Sequence, residues 1–181
     1  YQQNKAILSE IYAQGYPRYF KKIGVSVYTN EELEALLSDD LISVVQLPFN
    51  LLDNESIRGD LLKKLKIKGK IVHTRSAFLQ GLFFADSSKN KLIYNELSDE
   101  IEVVKKIAKS ENTTIINLAQ SYCVNQKNID NVLIGVDSVK QLVDNLEALD
   151  YVISTESKSK INAIKVKNID LLNPSLWKRL K

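Results

Sequence analysis

Apolar positions along the chain follow two alternating rhythms. Strand-length runs, largely apolar and rich in β-branched residues, fall at 22–28, 41–47, 71–75 and 131–135. Between them the apolar residues return every three to four positions, the spacing of a helix with one buried face. A first helix is predicted around 6–12, interrupted at Gly15 and Pro17. Thr29 followed by Glu32 is a capping box and opens a helix carrying Leu33, Leu36 and Leu37. Pro48 stops the second strand, and a helix then starts near Glu55 with Ile57, Leu61, Leu62 and Leu65 on one face. Gly69 closes it as a left-handed cap. A long connection crosses Gln80, Gly81 and Asp86-Ser87-Ser88, and two helices follow at 99–109 and 114–123. Ser138 and Gln141 form a second capping box, whose helix is predicted to turn Leu142, Leu146 and Leu149 inward. A last helix is expected over 158–166, before a tail holding Pro174 and Trp177.

A helix followed by four strand–helix units, with one extra helix before the last strand, predicts an α/β fold with a parallel sheet covered on at least one face. No linker divides the chain, so 1–181 reads as one domain with 150–181 as a C-terminal tail. Uneven strand spacing excludes a solenoid of identical repeats. The glycines (Gly15, Gly24, Gly59, Gly69, Gly81 and Gly135) are too dispersed for either phosphate-binding fingerprint of a doubly wound sheet. Polar residues gather instead at the carboxyl ends of the strands: Ser26, Gln46 and Asn50, Arg75 and Ser76, Asp137 and Ser138. A (β/α)8 barrel keeps its chemistry there, yet it needs eight strands. Four strands make half of one.

Composition narrows the partners. Of 181 residues, 25 are Lys or Arg and 22 are Asp or Glu, a formal charge of +3 spread along the chain. That is no electrostatic footprint for nucleic acid or for a membrane surface. One Cys and one His exclude a disulfide framework and a zinc site of the usual ligands. No apolar run is long enough to span a bilayer, and residues 1–5 lack a signal-peptide core, so a cytoplasmic protein is expected. There is no Met at any position, and the expectation is a piece of a longer polypeptide. His73 within a strand and Cys123 on an apolar helix face read as structural. The pairs Lys63-Lys64 and Lys105-Lys106 read as solvated helix faces.

Four segments carry a resemblance. Ile23-Gly24-Val25-Ser26-Val27-Tyr28 and Val45-Gln46-Leu47-Pro48-Phe49-Asn50-Leu51-Leu52-Asp53 resemble successive strand ends of the aldo/keto reductases. Arg75-Ser76-Ala77-Phe78-Leu79-Gln80-Gly81-Leu82 is similar to the next, and 133–138 with 141–146 to the last. The Arg-Ser and Leu-Gln-Gly variant is similar to a bacterial predicted-oxidoreductase subgroup. The resemblance implies strands five to eight of a TIM (β/α)8 barrel that reduces carbonyls with NADPH or NADH. The family's catalytic tyrosine, lysine, aspartate and histidine lie in the other half, so no catalytic residue is assigned in this chain.

What the resemblance implies for these residues is a cofactor site. Ser26 and Gln46 would hold the nicotinamide carboxamide, and Arg75 stands where many relatives place a tyrosine that stacks on the ring. Ser76, with the amides of Ala77, Phe78, Leu79 and Gly81, would meet the pyrophosphate. Val136, Ser138 and Gln141 would follow on the last strand's loop, and Asn145 would reach the adenine. Relatives that prefer NADPH carry Lys or Arg at the positions of Gly135 and Gln141 here, beside Asp137, which leans toward NADH. Taken alone, Ser26 and Ser138 also read as simple caps, Gln46 as a partner for a loop carbonyl and Arg75 as half of an ion pair. Two functions follow. One is an oxidoreductase reducing a small-molecule carbonyl, with this chain as its cofactor-binding half. The other is a non-catalytic half-barrel that binds a nucleotide or a partner. In either case the two open sheet edges need covering, by a missing N-terminal half or by self-association.

Overall fold

The structure, a computed structural model, describes residues 2–84 and 90–178. Asp86-Ser87-Ser88 of the predicted long connection lie outside the described residues. A 3-10 turn at Gln2–Asn4 leads into α1 (Lys5–Gly15), longer than the 6–12 expected. Then follow β1 (Ile23–Ser26), α2 (Asn30–Leu36), β2 (Ile42–Pro48), α3 (Glu55–Ile67) and β3 (Ile71–Arg75). A kinked 3-10 segment at Leu79–Phe84 precedes α4 (Lys91–Glu96), α5 (Ser98–Ser110) and α6 (Ile115–Val124). β4 (Asn131–Val132), α7 (Val139–Glu147) and α8 (Thr155–Asn162) complete the order, with 3-10 turns at Ala148–Asp150 and Ile169–Leu172.

All four strands are parallel and lie in chain order, β1-β2-β3-β4. Such an unbroken order, each strand beside its sequence neighbour, is that of a barrel wall rather than of a doubly wound sheet. The strand period of two sorts the faces. Val27, Val45, Leu47, Val72 and Thr74 are buried, whereas Ser26 is exposed and Gln46, His73 and Arg75 are half-buried on the other face. Helices cover the first face; the second is open, as the inner surface of an incomplete barrel must be.

The local signals act as their chemistry requires. Thr29 Oγ1 accepts from the Glu32 amide at 3.2 Å, and Glu32 Oε2 accepts from the Thr29 amide at 2.9 Å, completing the capping box of α2. Gly69 stands at φ +70°, a left-handed conformation that suits glycine, just beyond α3. One apolar core runs from Val27 to Trp177. The tail belongs to it: Ile153, Ile161, Ile164 and Leu171 are buried, and Trp177 Nε1 donates to the Leu171 carbonyl at 2.9 Å. Asn54, which caps α3, also donates to the Ile161 carbonyl at 2.9 Å and so ties the tail to the β2–α3 turn.

Three expectations change. The fourth strand shrinks from 131–135 to a two-residue pairing with β3. The predicted last helix begins earlier, at Thr155, because Ser154 caps it by accepting from the Ser157 amide. The largest change concerns α7, which buries no residue: Val139 is 80% exposed, Leu142 46% and Leu146 57%, and Leu149 in the 3-10 turn that follows is 50% exposed. Periodicity fixes which residues share a helix face; it does not supply a layer for that face to meet. Among the described residues no layer covers it.

Candidate functional site

A cleft of about 1060 Å³ opens at the carboxyl ends of the strands, the upper end of the range for small-molecule sites. Ser26 of β1 and Arg75 of β3 line its floor, with Gln46 of β2 beside Ser26. Ser26 and Gln46 are register partners, which brings their side chains onto the same face. Ser26 Oγ donates to Gln46 Oε1 at 3.1 Å. Arg75, at the end of β3, reaches back across β2: its Nε donates to Ser26 Oγ at 3.2 Å and its Nη2 to the Val27 carbonyl at 3.3 Å. The guanidinium lies 4.2 Å from the centre of the Tyr28 ring, a cation–π contact. Among the described residues no carboxylate lies within ion-pair distance of Arg75.

A buried network fixes Tyr28 beneath it. Arg58 grips Asp53 in two places, Nε to Oδ1 at 2.6 Å and Nη2 to Oδ2 at 2.8 Å, with both residues buried. The same guanidinium donates to the Tyr28 carbonyl and to Asn30 Oδ1, each at 2.7 Å. Burial pushes the Asp53 carboxyl up, and the hydrogen bonds and charge of Arg58 oppose it. One ion pair thus clamps the loops after β1 and β2 together.

The loop after β3 forms the near wall. Ser76, Leu79, Gln80 and Gly81 all have φ between +46° and +79°. Such left-handed residues coil the backbone tightly. Phe49 and Asn50 anchor it, the Phe49 amide donating to the Arg75 carbonyl at 3.0 Å and Asn50 Nδ2 to the Ser76 carbonyl at 3.3 Å. Ser76, Ala77, Phe78 and Gly81 line the cleft. The amides of Leu79 and Gly81, however, donate within the loop, to the carbonyls of Ser76 and Phe78 at 2.9 Å each, and Leu79 is wholly buried.

The far wall comes from the β4 loop and α7. Gly135, Asp137, Gln141, Asp144 and Asn145 line it. Ser138 Oγ caps α7 by accepting from the Gln141 amide at 3.2 Å. The second capping box is only half formed: Gln141 Oε1 accepts from the Asp137 amide at 2.7 Å, one residue earlier than a reciprocal box requires. Ser138 and Val136 are not part of the lining, and Val136 is 41% exposed. Asn145 Oδ1 accepts from Gln120 Nε2 at 2.8 Å; Gln120 is fully buried on α6, and its Oε1 has no partner. Lys140 pairs with Asp144 at 2.8 Å.

The structure therefore brings together Ser26, Arg75, Ser76, Ala77, Phe78, Gly81, Gln141 and Asn145 around one cleft, with Gln46 joined to Ser26. Sequence reasoning missed Tyr28, the Asp53–Arg58 clamp and Gln120. Tyr28 carried a signal, standing two residues after Ser26 where a strand's period returns to the same face. Cys123 is buried in the core, its thiol pushed up by desolvation, and it takes no part. No helix among the described residues is long and apolar enough to cross a membrane.

The chain matches the aldo/keto reductase family over residues 7–166. It is 32% identical over 126 residues to L-galactose dehydrogenase of Arabidopsis thaliana, a match covering 64% of this chain and 39% of that protein. Among solved structures, the apo form of aldo-keto reductase AKR11C1 from Bacillus halodurans superposes with a TM-score of 0.67 at 19% identity. That match takes in 93% of this chain and 59% of the other. A thermostable aldo-keto reductase, Tm1743, gives a TM-score of 0.61 at 22% identity, over 87% of this chain and 52% of that one. The chain thus spans little more than half the length of these structures, and less of the plant enzyme.

Proposed function

The chain belongs to the aldo/keto reductase family, and on that premise we propose that it forms the cofactor-binding half of an NAD(P)H-dependent oxidoreductase that reduces a small-molecule carbonyl to an alcohol. The observation that carries this reading is the cleft in which neutral Ser26, backed by its hydrogen bond to Gln46, converges with the Arg75 cation and Asn145 at the carboxyl end of a parallel wall.

The donors and acceptors fit a dinucleotide. A carboxamide needs one acceptor and one donor at short range, and the coupled Ser26 hydroxyl and Gln46 amide offer both. Ser76 and the amides of Ala77 and Phe78, on the tightly coiled loop, suit the pyrophosphate. Asn145, held by Gln120, suits the adenine edge. The dinucleotide supplies the hydride when bound. Everything this chain does is to bind and orient it. The general acid for the carbonyl oxygen belongs to the four units that complete the barrel. Lys140, at the start of α7, does not line the cleft and pairs with Asp144, which favours NADH over NADPH.

Covering the sheet edges is part of the same reading. The open inner face and the bare apolar side of α7 suit the complementary half of the barrel, with a second copy of this chain as its substitute.

Calorimetric titration of the chain with NADH, NADPH and ADP-ribose tests the site. All three bind, and Ser26→Ala weakens the two dinucleotides about three- to tenfold, the worth of one hydrogen bond, without affecting ADP-ribose. A chain that is folded by circular dichroism yet binds none of the three sinks the proposal.

A further inference from the structure

We propose that Arg75 makes this site selective for the redox state of the nicotinamide, holding the neutral reduced ring and disfavouring the cationic oxidised one. The inference rests on the cofactor reading above and adds a property that the reading does not contain.

Arg75 is fixed rather than free. Tyr28 supports one side of its guanidinium at 4.2 Å, and Ser26 Oγ and the Val27 carbonyl take two of its donors. Tyr28 is in turn fixed through its carbonyl by Arg58. A guanidinium keeps its charge at every physiological pH. What decides its effect is that no carboxylate of the described residues neutralises it by direct contact. Asp53, a buried acid whose charge also acts on Arg75, is engaged on both oxygens by Arg58, so that pair is neutral in sum. The partners at this end of the cleft, Ser26 and Gln46, are neutral. One positive charge with no direct ion-pair partner among the described residues therefore stands beside the two residues assigned to the carboxamide.

Reduced and oxidised dinucleotides have the same pyrophosphate, riboses and adenine; they differ by one unit of charge on the nicotinamide. An adjacent fixed cation repels the oxidised ring and leaves the reduced ring untouched.

The test is a calorimetric titration of the intact chain with NADH, NAD+ and ADP-ribose, for the wild type and for Arg75→Gln and Arg75→Lys. The wild type is expected to bind NADH at least about fivefold more tightly than NAD+, as one like-charge contact in a partly wet site predicts. Arg75→Gln brings that ratio to within about twofold and leaves ADP-ribose unchanged, whereas Arg75→Lys, which keeps the charge, keeps the preference. Equal wild-type affinities for NADH and NAD+ overturn the inference, as does a ratio that survives Arg75→Gln. So does an Arg75→Gln variant weakened equally toward all three ligands, for then the arginine serves the phosphates. Loss of ADP-ribose binding in the wild type overturns the cofactor reading itself, a separate outcome.

Discussion

Glu111, just past the end of α5, receives three hydroxyls. Tyr151 donates to Oε2 at 2.7 Å, and Ser154, which caps α8, and Ser157, in its first turn, bond the same carboxylate. These bonds, led by that of Ser154, hold the carboxyl down at about 2 from an ordinary 4.5. A depressed carboxylate stabilises the fold above its unfolded value and loses that contribution as pH falls through its folded one. Urea midpoints of the wild type should therefore exceed those of Glu111→Gln at neutral pH, with the gap closing between about 4.5 and about 2. A gap independent of pH would mean that the carboxylate does not anchor the tail. The Asp53–Arg58 pair is a stronger case because it is buried. Arg58→Ala strands a carboxylate without its partner, at a cost of about 3–5 kcal/mol in urea unfolding, and the double variant D53N/R58M recovers much of it since no bare charge remains. An Arg58→Ala loss below about 1 kcal/mol would place the pair among surface bridges in energetic terms.

Helix ends were the most legible elements, since their chemistry is local. Thr29 and Glu32 are three residues apart and need nothing from the rest of the chain to meet, so Thr29→Ala should cost about 1 kcal/mol in chemical denaturation, with no change if the box is idle. Strand centres were equally plain, and the strand ends gave Ser26, Gln46 and Arg75 without a coordinate. α4, six residues long, was not foreseen, because a single turn and a half carries too few periods to stand out. The same holds for the shortening of β4: Leu133 still donates to the Thr74 carbonyl at 2.7 Å, but the next residues turn away into the cleft wall. Partners that act through another side chain were illegible for a different reason. Gln120 and Asn145 are 25 positions apart, and only the packing of α6 against α7 joins them. A buried glutamine in an otherwise apolar turn was the signal available, and it points to a partner without naming one.

Four parallel strands with helices on one face make a wall, and a wall has two edges and a bare inner side. β1 stands at one edge and β4 at the other. Beside β4, α7 displays Val139, Leu142, Val143 and Leu146, with Leu149 and Val152 following, all at least 45% exposed. An apolar surface of this extent in water favours association. α7 follows the edge strand β4 in the chain, so a partner that continues the wall past β4 is expected to cover its apolar face as well. In isolation the chain has only itself for that purpose. Sedimentation velocity over a hundredfold range of concentration should therefore show a reversible shift from monomer to dimer. Replacing Leu142 and Leu146 by Lys abolishes that shift, because each buries a charge in the contact without touching the core. Val103→Lys, on the exposed side of α5, is the matched control and leaves the shift in place. Supplying the complementary four units in trans should compete with self-association and give a one-to-one complex. A monomer at every concentration, unaffected by the lysines and indifferent to the added half, would mean that the α7 face stays in water and that the wall is stable as it stands.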